Sequence, residues 1–498
     1  MTAREMTAPP GAADAAGPGL ALFLLLAGAL TIVRIAGLAV SAVDLYFDES
    51  QYFAWSQELA FGYFSKPPLI AWVIAGADAV CGPGEACLRA PAPLFHLGLS
   101  LLGYAIARRL YGDRVAFFAG LTAILAPGIV FSTRIISTDV PLLFFWAAAL
   151  YAFVRLRAGG GYGWSLLLAV AFGLGLLSKY AMIYFAGCVL VAGLVDRDSR
   201  ALLASARLWA GLVLGLLFLV PNLLWNLHHG FATFAHTGDN IAGRGALFDV
   251  AGGLEFLAAQ FGVGGPVVMA GLIVLVARLR APFVTADDRT MLAFSVPVLA
   301  LLILFAFVTR ANGNWAAPAF VAAFVVVPAV LLRLGRRGLV VAGIVIGLAC
   351  QVALLLADPF ADRLSFPIGK GRDPYAPTLG WKALGERVVA AAEKAKAGSI
   401  VGVPRRDVAS LIYYTRDSGL PVFAWPPADG IPGDHFELTR PLTAAAPEPV
   451  LAVGGCSGNE ERFAPLYATV APAGAFRVPT GPPPGRRYCL TLLSGRKP

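Results

Sequence analysis

The chain has 498 residues, of which 58% are hydrophobic and 14% are charged, and its mean hydropathy is +0.72. These values exclude an ordinary soluble globular protein, in which about 25% of residues are charged. Repeated apolar runs long enough to cross a bilayer instead predict a polytopic α-helical membrane protein surrounded by membrane lipids. The formal net charge is +9, but no nucleic-acid partner is predicted.

The N-terminal segment, residues 1–18, is rich in Ala, Gly and Pro and contains Asp14. It lacks a compact basic region followed by a small-residue cleavage site. We therefore interpret it as a flexible cytoplasmic tail and the first apolar run as a retained helix. A cleaved signal peptide is the less favoured alternative.

Apolar windows bounded by helix breakers predict about eleven transmembrane helices within residues 19–357. These windows are residues 20–42, 92–111, 115–133, 139–156, 163–178, 180–195, 207–227, 254–277, 291–308, 315–332 and 339–357. The apolar run 69–80 is too short to span a membrane, so we expect it to lie along the interface. Residues 44–90 would then form one large loop.

The distribution of basic residues predicts the orientation of these helices. One alternate set of connections carries 14 Lys and Arg residues, whereas the opposite set carries six over a greater length. Because cytoplasmic loops are enriched in Lys and Arg, the first set is predicted to be cytoplasmic. The 44–90 loop and the chain after residue 357 would then lie outside the cytoplasm.

Residues 358–498 lose the long apolar runs and predict a small periplasmic α/β domain. A helix is expected over Trp381–Ala397, where apolar residues recur at helical spacing. Short strand-like runs surround it, and they are Ser399–Val403, Leu411–Tyr414, Val422–Trp425, Val450–Val453 and Tyr488–Leu493.

Four of the six cysteines fall in the segments predicted to be exported. Cys81 and Cys87 lie in the first outer loop, and Cys456 and Cys489 lie in the tail. Each pair is compatible with a disulfide in an oxidising compartment or with two buried free thiols. No Cys/His spacing typical of zinc is present, so no metal is predicted.

Polar residues gather at the predicted outer ends of several helices, which suggests a cavity for a phosphate and a polar acceptor. Asp48-Glu49 follow the first apolar run, and other acids and cations follow later spans. Single carboxylates at such positions often only solvate a helix end. The clustered residues are Lys66, Arg134, Asp139, Lys179, Tyr180, Arg310, Asn312, Asn314 and Trp315.

Three segments resemble a known family. YFDESQYFAWSQ followed by YFSKPPLIAW resembles the first-loop signature of bacterial family-39-type GT-C glycosyltransferases, the group that includes protein O-mannosyltransferases and lipid A aminoarabinose transferases. STDVPLLFFWAAALY resembles their second acidic motif, and GNWAAPAF resembles their Asn-Trp segment. The resemblance implies a GT-C fold over residues 19–357 and sugar transfer from a polyprenyl-phosphate donor to an acceptor outside the cytoplasm.

The chemistry of that reaction assigns roles to the clustered residues. A carboxylate can take the proton of an acceptor hydroxyl, and fixed cations can stabilise the leaving phosphate. We expect Asp48 to act as general base in a displacement that inverts the anomeric centre. Asp139 is expected as a second carboxylate of the catalytic site, which binds acceptor or sugar hydroxyls or holds the cations, unless it only pairs with Arg134. The expected acceptor- or sugar-binding residues are Glu49, Tyr52 and Trp315, and the expected phosphate-binding residues are Lys66, Arg134, Lys179, Tyr180 and Arg310.

Other functions are compatible with many apolar helices. A lipid or solute transporter or flippase would be expected to show paired halves with interrupted helices, and no such internal repeat is visible. A membrane scaffold without catalysis is a third interpretation. No cofactor is predicted besides the lipid-linked donor, and the expected location is the bacterial inner membrane with the active site on the periplasmic side. Lipid A, a protein hydroxyl, a lipid-linked glycan and a cell-wall polymer all stay open as acceptor.

Overall fold

The computed structural model describes residues 19–241, 248–364, 373–481 and 484–497. The predicted tail 1–18 lies outside these residues. The first half of the chain is helical, because long Leu-, Ala- and Val-rich runs satisfy their backbone hydrogen bonds internally. Its helices are α1 Leu20–Ala39, α2 Phe47–Ser56, α3 Leu69–Cys81, α4 Glu85–Arg89, α5 Pro91–Tyr111, α6 Asp113–Leu125, α7 Pro127–Ser132, α8 Asp139–Arg157, α9 Tyr162–Ser178 and α10 Tyr184–Val195.

Ten further helices continue to the end of the apolar part. They are α11 Arg197–Leu203, α12 Ala206–Leu217, α13 Val220–His228, α14 Ala232–Ile241, α15 Val250–Val263, α16 Pro266–Ala277, α17 Ala286–Ala293, α18 Val296–Ala306, α19 Ala317–Arg333 and α20 Arg337–Ala357. Proline or glycine marks several of the breaks, since neither continues a helix well. The predicted outer loop 44–90 is itself folded into α2, α3 and α4.

Seven helical segments in the described parts of the chain are long and apolar enough to cross a membrane. They are Leu20–Ala39, Glu85–Tyr111, Asp139–Arg157, Ala206–His228, Ala286–Ala306, Gly313–Arg333 and Arg337–Phe360. The pair α15 and α16 is an eighth candidate, bent by 116°. Three shorter apolar helices, Leu69–Cys81, Tyr162–Ser178 and Tyr180–Val195, do not reach this length. The protein is therefore a polytopic helical membrane protein, and the number eleven stays a prediction.

The bend between α15 and α16 is set by two glycines. Gly265 has φ +88°, which side chains rarely adopt. A Cβ on Gly264 would fall 2.1 Å from the ring of Phe320 on α19. The break therefore lets the backbone turn sharply while it packs directly against α19.

The connections that are rich in arginine converge at one end of the helices. Arg157, at the end of α8, pairs with Asp196 at 2.8 Å and with Asp287 at 2.6 Å. Arg333, at the end of α19, pairs with Asp288 at 2.6 Å. These contacts join connections that the sequence assigned to the cytoplasmic side, while Asp139 lies at the opposite end of α8.

The last part of the chain forms a mixed five-stranded sheet flanked by helices. We call this part the C-terminal α/β region. Its elements are α21 Trp381–Ala395, β1 Ser399–Gly402, α22 Arg405–Tyr414, β2 Val422–Ala424, α23 His435–Thr439, β3 Val450–Gly454, α24 Asn459–Phe463, β4 Tyr467–Val478 and β5 Arg486–Arg496. The strand order is β2-β1-β3-β5-β4, with β1 parallel to β2 and β3, and β5 antiparallel to β3 and β4.

One strand prediction in this region is wrong. Leu411–Tyr414 forms the last turn of α22 instead of a strand. Four apolar and aromatic residues are too few to distinguish the two periodicities. Both cysteine pairs that the sequence left open form disulfides, Cys81–Cys87 and Cys456–Cys489.

Candidate active site

Asp48 and Glu49 lie in the first turn of α2, where carboxylates interact favourably with the helix dipole. Tyr46 is the N-cap, and its backbone N–H donates to Oε2 of Glu49 at 2.8 Å. Neighbouring residues on a helix point about 100° apart. The two adjacent carboxylates therefore face different surroundings.

Glu49 points into the protein and is 2% exposed. Arg89 of α4 donates to both of its oxygens, at 2.9 and 2.7 Å. The backbone N–H of Ile136 donates to Oε1 at 2.9 Å. Together with the N–H of Tyr46, these donors engage the Glu49 carboxylate from three segments of the chain, although the residue also borders the cavity described next.

Asp48 faces a cavity of about 450 Å³, and Asp139 of α8 also lines this cavity. Polar residues form one part of its wall and apolar side chains form the rest. The polar or aromatic lining includes Tyr46, Asp48, Tyr52, Lys66, Asp139, Lys179, Asn312, Asn314 and Trp315. The apolar lining includes Leu99, Ile129, Leu143, Val263, Phe320, Val321 and Phe324. This mixture suits a ligand with a charged head and a hydrocarbon tail.

Asp139, in the first turn of α8, is held by two donors. Lys179 Nζ lies 2.7 Å from Oδ1, and Asn314 Nδ2 donates to Oδ2 at 2.6 Å. Lys179 follows α9, and Asn314 belongs to the short 3-10 turn Gly313–Ala316 before α19. The alternative that Asp139 pairs with Arg134 is therefore wrong, and Lys179 is its cation.

Lys66 lines the cavity from the segment between α2 and α3. Within the described residues its ammonium has neither an ion-pair nor a hydrogen-bond partner. Burial lowers the pKa of Lys66, and the charge of Lys179 acts in the same direction. A buried cation of this kind is expected to favour an anionic ligand.

Tyr52 and Trp315 also lie where the sequence analysis expected them, at the cavity wall. Tyr52 is 4% exposed, and burial raises the pKa of its hydroxyl well above the usual value, with Asp48 acting in the same direction. Trp315 is partly buried, and its ring lies 6.3 Å from that of Phe305. Both rings can therefore contact a ligand in the cavity.

Three residues expected to bind the donor phosphate lie outside the cavity lining. Arg134 pairs with Asp358, and its guanidinium lies 5.5 Å from the centre of the Tyr375 ring. Tyr180 donates to Asn222 Oδ1 at 2.6 Å. Arg310 is exposed before the 3-10 turn. These three side chains therefore do not reach the cavity beside Asp48. The sequence could not show this, because it does not fix the direction of each side chain.

The sequence analysis missed Arg405 of the C-terminal α/β region. Its Nη2 lies 3.2 Å from Oδ1 of Asp48. No pattern in the sequence signals this contact, because it joins segments more than 350 positions apart. The sequence analysis also missed the role of Arg89, whose neighbours in the chain gave no reason to pair it with Glu49.

No group of three or more His, Cys, Asp or Glu residues in the described parts of the chain is arranged to hold a metal ion. The expectation of catalysis without a metal stays a prediction. The charged groups that the cavity does contain are carboxylates and amines, which suit proton transfer and anion binding.

Comparison with known proteins places this site in a family. A family model described as dolichyl-phosphate-mannose-protein mannosyltransferase matches residues 65–225. Lipid A galacturonosyltransferase RgtD of Rhizobium johnstonii is 33% identical over 422 residues, which cover 84% of this chain and 88% of that protein. Lipopolysaccharide core galacturonosyltransferase RgtA of the same organism is 29% identical over 315 residues, covering 59% and 61%.

The chain is therefore a membrane glycosyltransferase and not a transporter. It belongs to the same family as RgtD, and its residues 65–225 match the mannosyltransferase family model. The crystal structure of ArnT from Cupriavidus metallidurans bound to undecaprenyl phosphate has a TM-score of 0.65 and 19% identity, and the match covers 95% of this chain and 97% of that one. This likeness confirms the GT-C fold that the sequence resemblance implied.

Proposed function

We propose that this protein transfers a uronic-acid sugar, galacturonate, from a polyprenyl-phosphate donor to a lipopolysaccharide component, with lipid A as the first candidate acceptor. The relatives named above are galacturonosyltransferases that act on lipid A or on the lipopolysaccharide core. ArnT, which shares the fold, binds undecaprenyl phosphate. A donor of this class has a charged head and a long hydrocarbon tail, in keeping with the mixed lining of the cavity.

The observation that carries this proposal is that one cavity is lined by both Asp48 and Lys66, whose ammonium has no partner among the described residues. An acceptor hydroxyl is a weak nucleophile, and a carboxylate can take its proton as the bond to the sugar forms. The oxygen of that hydroxyl then bonds to the anomeric carbon while the bond from that carbon to the phosphate oxygen breaks. The polyprenyl phosphate leaves with an additional negative charge.

The other cavity residues have supporting roles in this proposal. Lys66 stabilises the phosphate as its charge grows, and Lys179 holds Asp139 while contributing to the same positive field. Tyr52 and Trp315 contact the sugar or the acceptor. Glu49 acts as a positioning group for α2, since its oxygens already accept from Arg89 and from two backbone N–H groups.

A single displacement inverts the anomeric centre and needs no second, nucleophilic carboxylate. Among the described residues that line the cavity, Asp139 is the only other carboxylate that is not bound to Arg89, and Lys179 and Asn314 occupy one oxygen each. We therefore propose that Asp139 orients Lys179 and the Asn314 segment. The reaction takes place on the periplasmic side of the inner membrane, in keeping with arginine-rich connections at the other end of the helices.

The proposal is tested with purified protein, a polyprenyl-phosphate galacturonate donor and lipid A as acceptor. Asp48→Asn is expected to lower the transfer rate by about 10²–10⁴-fold while donor binding persists, because the base is lost and the cavity shape is kept. Mass spectrometry of the lipid product measures transfer, and binding of labelled polyprenyl phosphate measures the lipid site.

Asp78→Asn is the matched control, since Asp78 lies on α3, accepts from Gln57 and does not line the cavity. It is expected to transfer sugar at the wild-type rate. Full turnover by Asp48→Asn would remove Asp48 from the base role. If the wild-type protein is inactive with this donor but transfers another sugar, the assignment of galacturonate as the transferred sugar is refuted.

A further inference from the structure

The side chain of Arg405, from the C-terminal α/β region, contacts the first turn of α2. Arg405, the first residue of α22, approaches Asp48 with Nη2, at 3.2 Å from Oδ1. Its Nη1 donates to Oε1 of Gln51 at 2.9 Å, and its guanidinium lies 5.0 Å from the centre of the Phe47 ring. One planar group therefore contacts three residues on a single turn of α2.

The backbone that carries Arg405 is held firmly against α2. The ring of Tyr413, on α22, meets Phe53 edge-on with centroids 4.9 Å apart. The hydroxyl of Tyr414 accepts from the backbone N–H of Leu45 at 2.7 Å, just before α2. Asp407, also on α22, is buried and accepts from Tyr488 of β5 at 3.1 Å, which ties the helix to the sheet. The position of Arg405 is thus fixed from both sides.

The two oxygens of Asp48 have different surroundings. Oδ1 faces Arg405, whereas Oδ2 has no hydrogen-bond partner within the described residues. A carboxylate held at one oxygen by a guanidinium, which stays protonated at any physiological pH, keeps its second oxygen in a defined direction. Gln51, which is 1% exposed, receives the other end of the guanidinium and prevents it from swinging away.

We propose that Arg405 is a positioning residue of the active site, through which the C-terminal α/β region directs the free oxygen of Asp48 to the acceptor hydroxyl. This inference rests on the proposed role of Asp48 as base. It gives the C-terminal α/β region a part in the chemistry, beyond a contribution to folding.

The field around Asp48 includes groups from every element that faces the cavity there. Besides Arg405 these groups are Tyr46, Glu49 and Tyr52 at α2, Lys66 before α3, Asp139 on α8 and Lys179 after α9. Glu49 is neutralised by Arg89 and Asp139 by Lys179. In the described parts of the chain, Lys66 and Arg405 are then the two cations that face Asp48 without another carboxylate as partner.

Arg405→Gln in the full-length enzyme tests the inference. Loss of orientation is expected to lower kcat by about ten- to hundredfold, with the KM for the donor within about threefold of wild type. Arg405→Lys keeps the charge but lacks the planar fork, and it is expected to restore only part of kcat.

Arg440→Gln is the matched control. Arg440 also reaches from the C-terminal α/β region to the segment after α2, where it pairs with Glu58, but it does not touch Asp48. It is expected to keep the wild-type kcat and KM. An equal loss of kcat in both variants would reduce Arg405 to an interface contact and overturn the inference.

The failure of this inference is distinguishable from failure of the proposed function. If Arg405→Gln turns over like wild type while Asp48→Asn is inactive, the positioning role is refuted and the base assignment stands. If Asp48→Asn is active, the base assignment is refuted and the inference falls with it. Thermal denaturation of each variant in detergent separates unfolding from a loss of chemistry, and Arg405→Lys supplies the answer if Arg405→Gln does not fold.

Discussion

Asp48 and Glu49 are neighbours on α2, but their side chains have different surroundings and different proposed roles. Asp48 is 35% exposed and borders the cavity, whereas Glu49 is 2% exposed and bound to Arg89. The sequence shows both as an acidic pair after an apolar run. Only the direction of each side chain, 100° apart on α2, separates them.

Glu49→Gln is expected to destabilise the fold by about 3–5 kcal/mol, because it leaves the Arg89 guanidinium buried without its counter-charge. Thermal denaturation in detergent measures this, and the remaining activity should follow the amount of folded protein. Asp48→Asn, one position away, is expected to keep the wild-type melting temperature. A stable but inactive Glu49→Gln protein would instead give Glu49 a direct part in catalysis.

At the scale of residues, the sequence predicts which side chains line the cavity better than it predicts which charged groups form ion pairs with each other. Asp48, Lys66, Asp139, Lys179 and Trp315 all border one cavity, as expected for residues at the same ends of successive helices. The partner of Arg134 was not predictable, because Asp358 lies 224 positions further along and only the packing of α20 brings it near.

At the scale of elements, the link between the segment before α2 and α21 depends on one partly buried acid, Asp44. Asp44 accepts from the backbone N–H of Trp381 at 2.7 Å and of Lys382 at 3.3 Å, at the start of α21. Burial raises the pKa of Asp44 to about 6, and Glu85 acts in the same direction. The two N–H donors oppose this shift without cancelling it.

Stability is therefore expected to depend on the protonation of Asp44. Its carboxyl binds a proton more tightly in the folded than in the unfolded protein, so its contribution is present below about pH 4 and is lost as the pH rises through about 6. Asp44→Asn, which keeps an oxygen as acceptor, should remove this loss. Melting temperatures measured from pH 4 to 7 for both proteins check it, and parallel curves would contradict it.

Helix positions were easier to predict than helix ends. The apolar windows fall on helices because length and hydropathy decide insertion, but the window 115–133 is divided into α6 and α7 before Pro127. The window 254–277 is likewise divided at Gly264 and Gly265, where contact with Phe320 requires a residue without a side chain. Such breaks depend on neighbouring helices, which a single window does not contain.

At the scale of the whole molecule, the arginine-rich connections lie at one end of the helices and the cavity lies at the other. The arginine-rich connections gather around Asp196, Asp287 and Asp288, and both disulfides lie in segments of the cavity end or the C-terminal α/β region. This arrangement agrees with an oxidising compartment on the side of the cavity.

The predicted orientation is tested by thiol labelling in spheroplasts. Asp417→Cys, at an 89% exposed position of the C-terminal α/β region, should react with a membrane-impermeant maleimide in intact cells. Arg336→Cys, at an exposed position between α19 and α20, should react only after permeabilisation. The wild-type protein, with two disulfides and the free Cys188 and Cys350, gives the background. The reverse labelling pattern would invert the topology.

The contact between Gln51 and Arg405 has a consequence for the time course of biosynthesis. The two residues are 354 positions apart, so at roughly 5–20 residues per second the ribosome needs about 20–70 s to supply the second after the first. During that interval the cavity residues of α2 and α8, and Lys179 after α9, are synthesised, but Asp48 lacks its guanidinium partner. A nascent chain that stalls before its last segment therefore lacks the proposed Asp48–Arg405 contact, and we expect a truncated product to be a poor transferase.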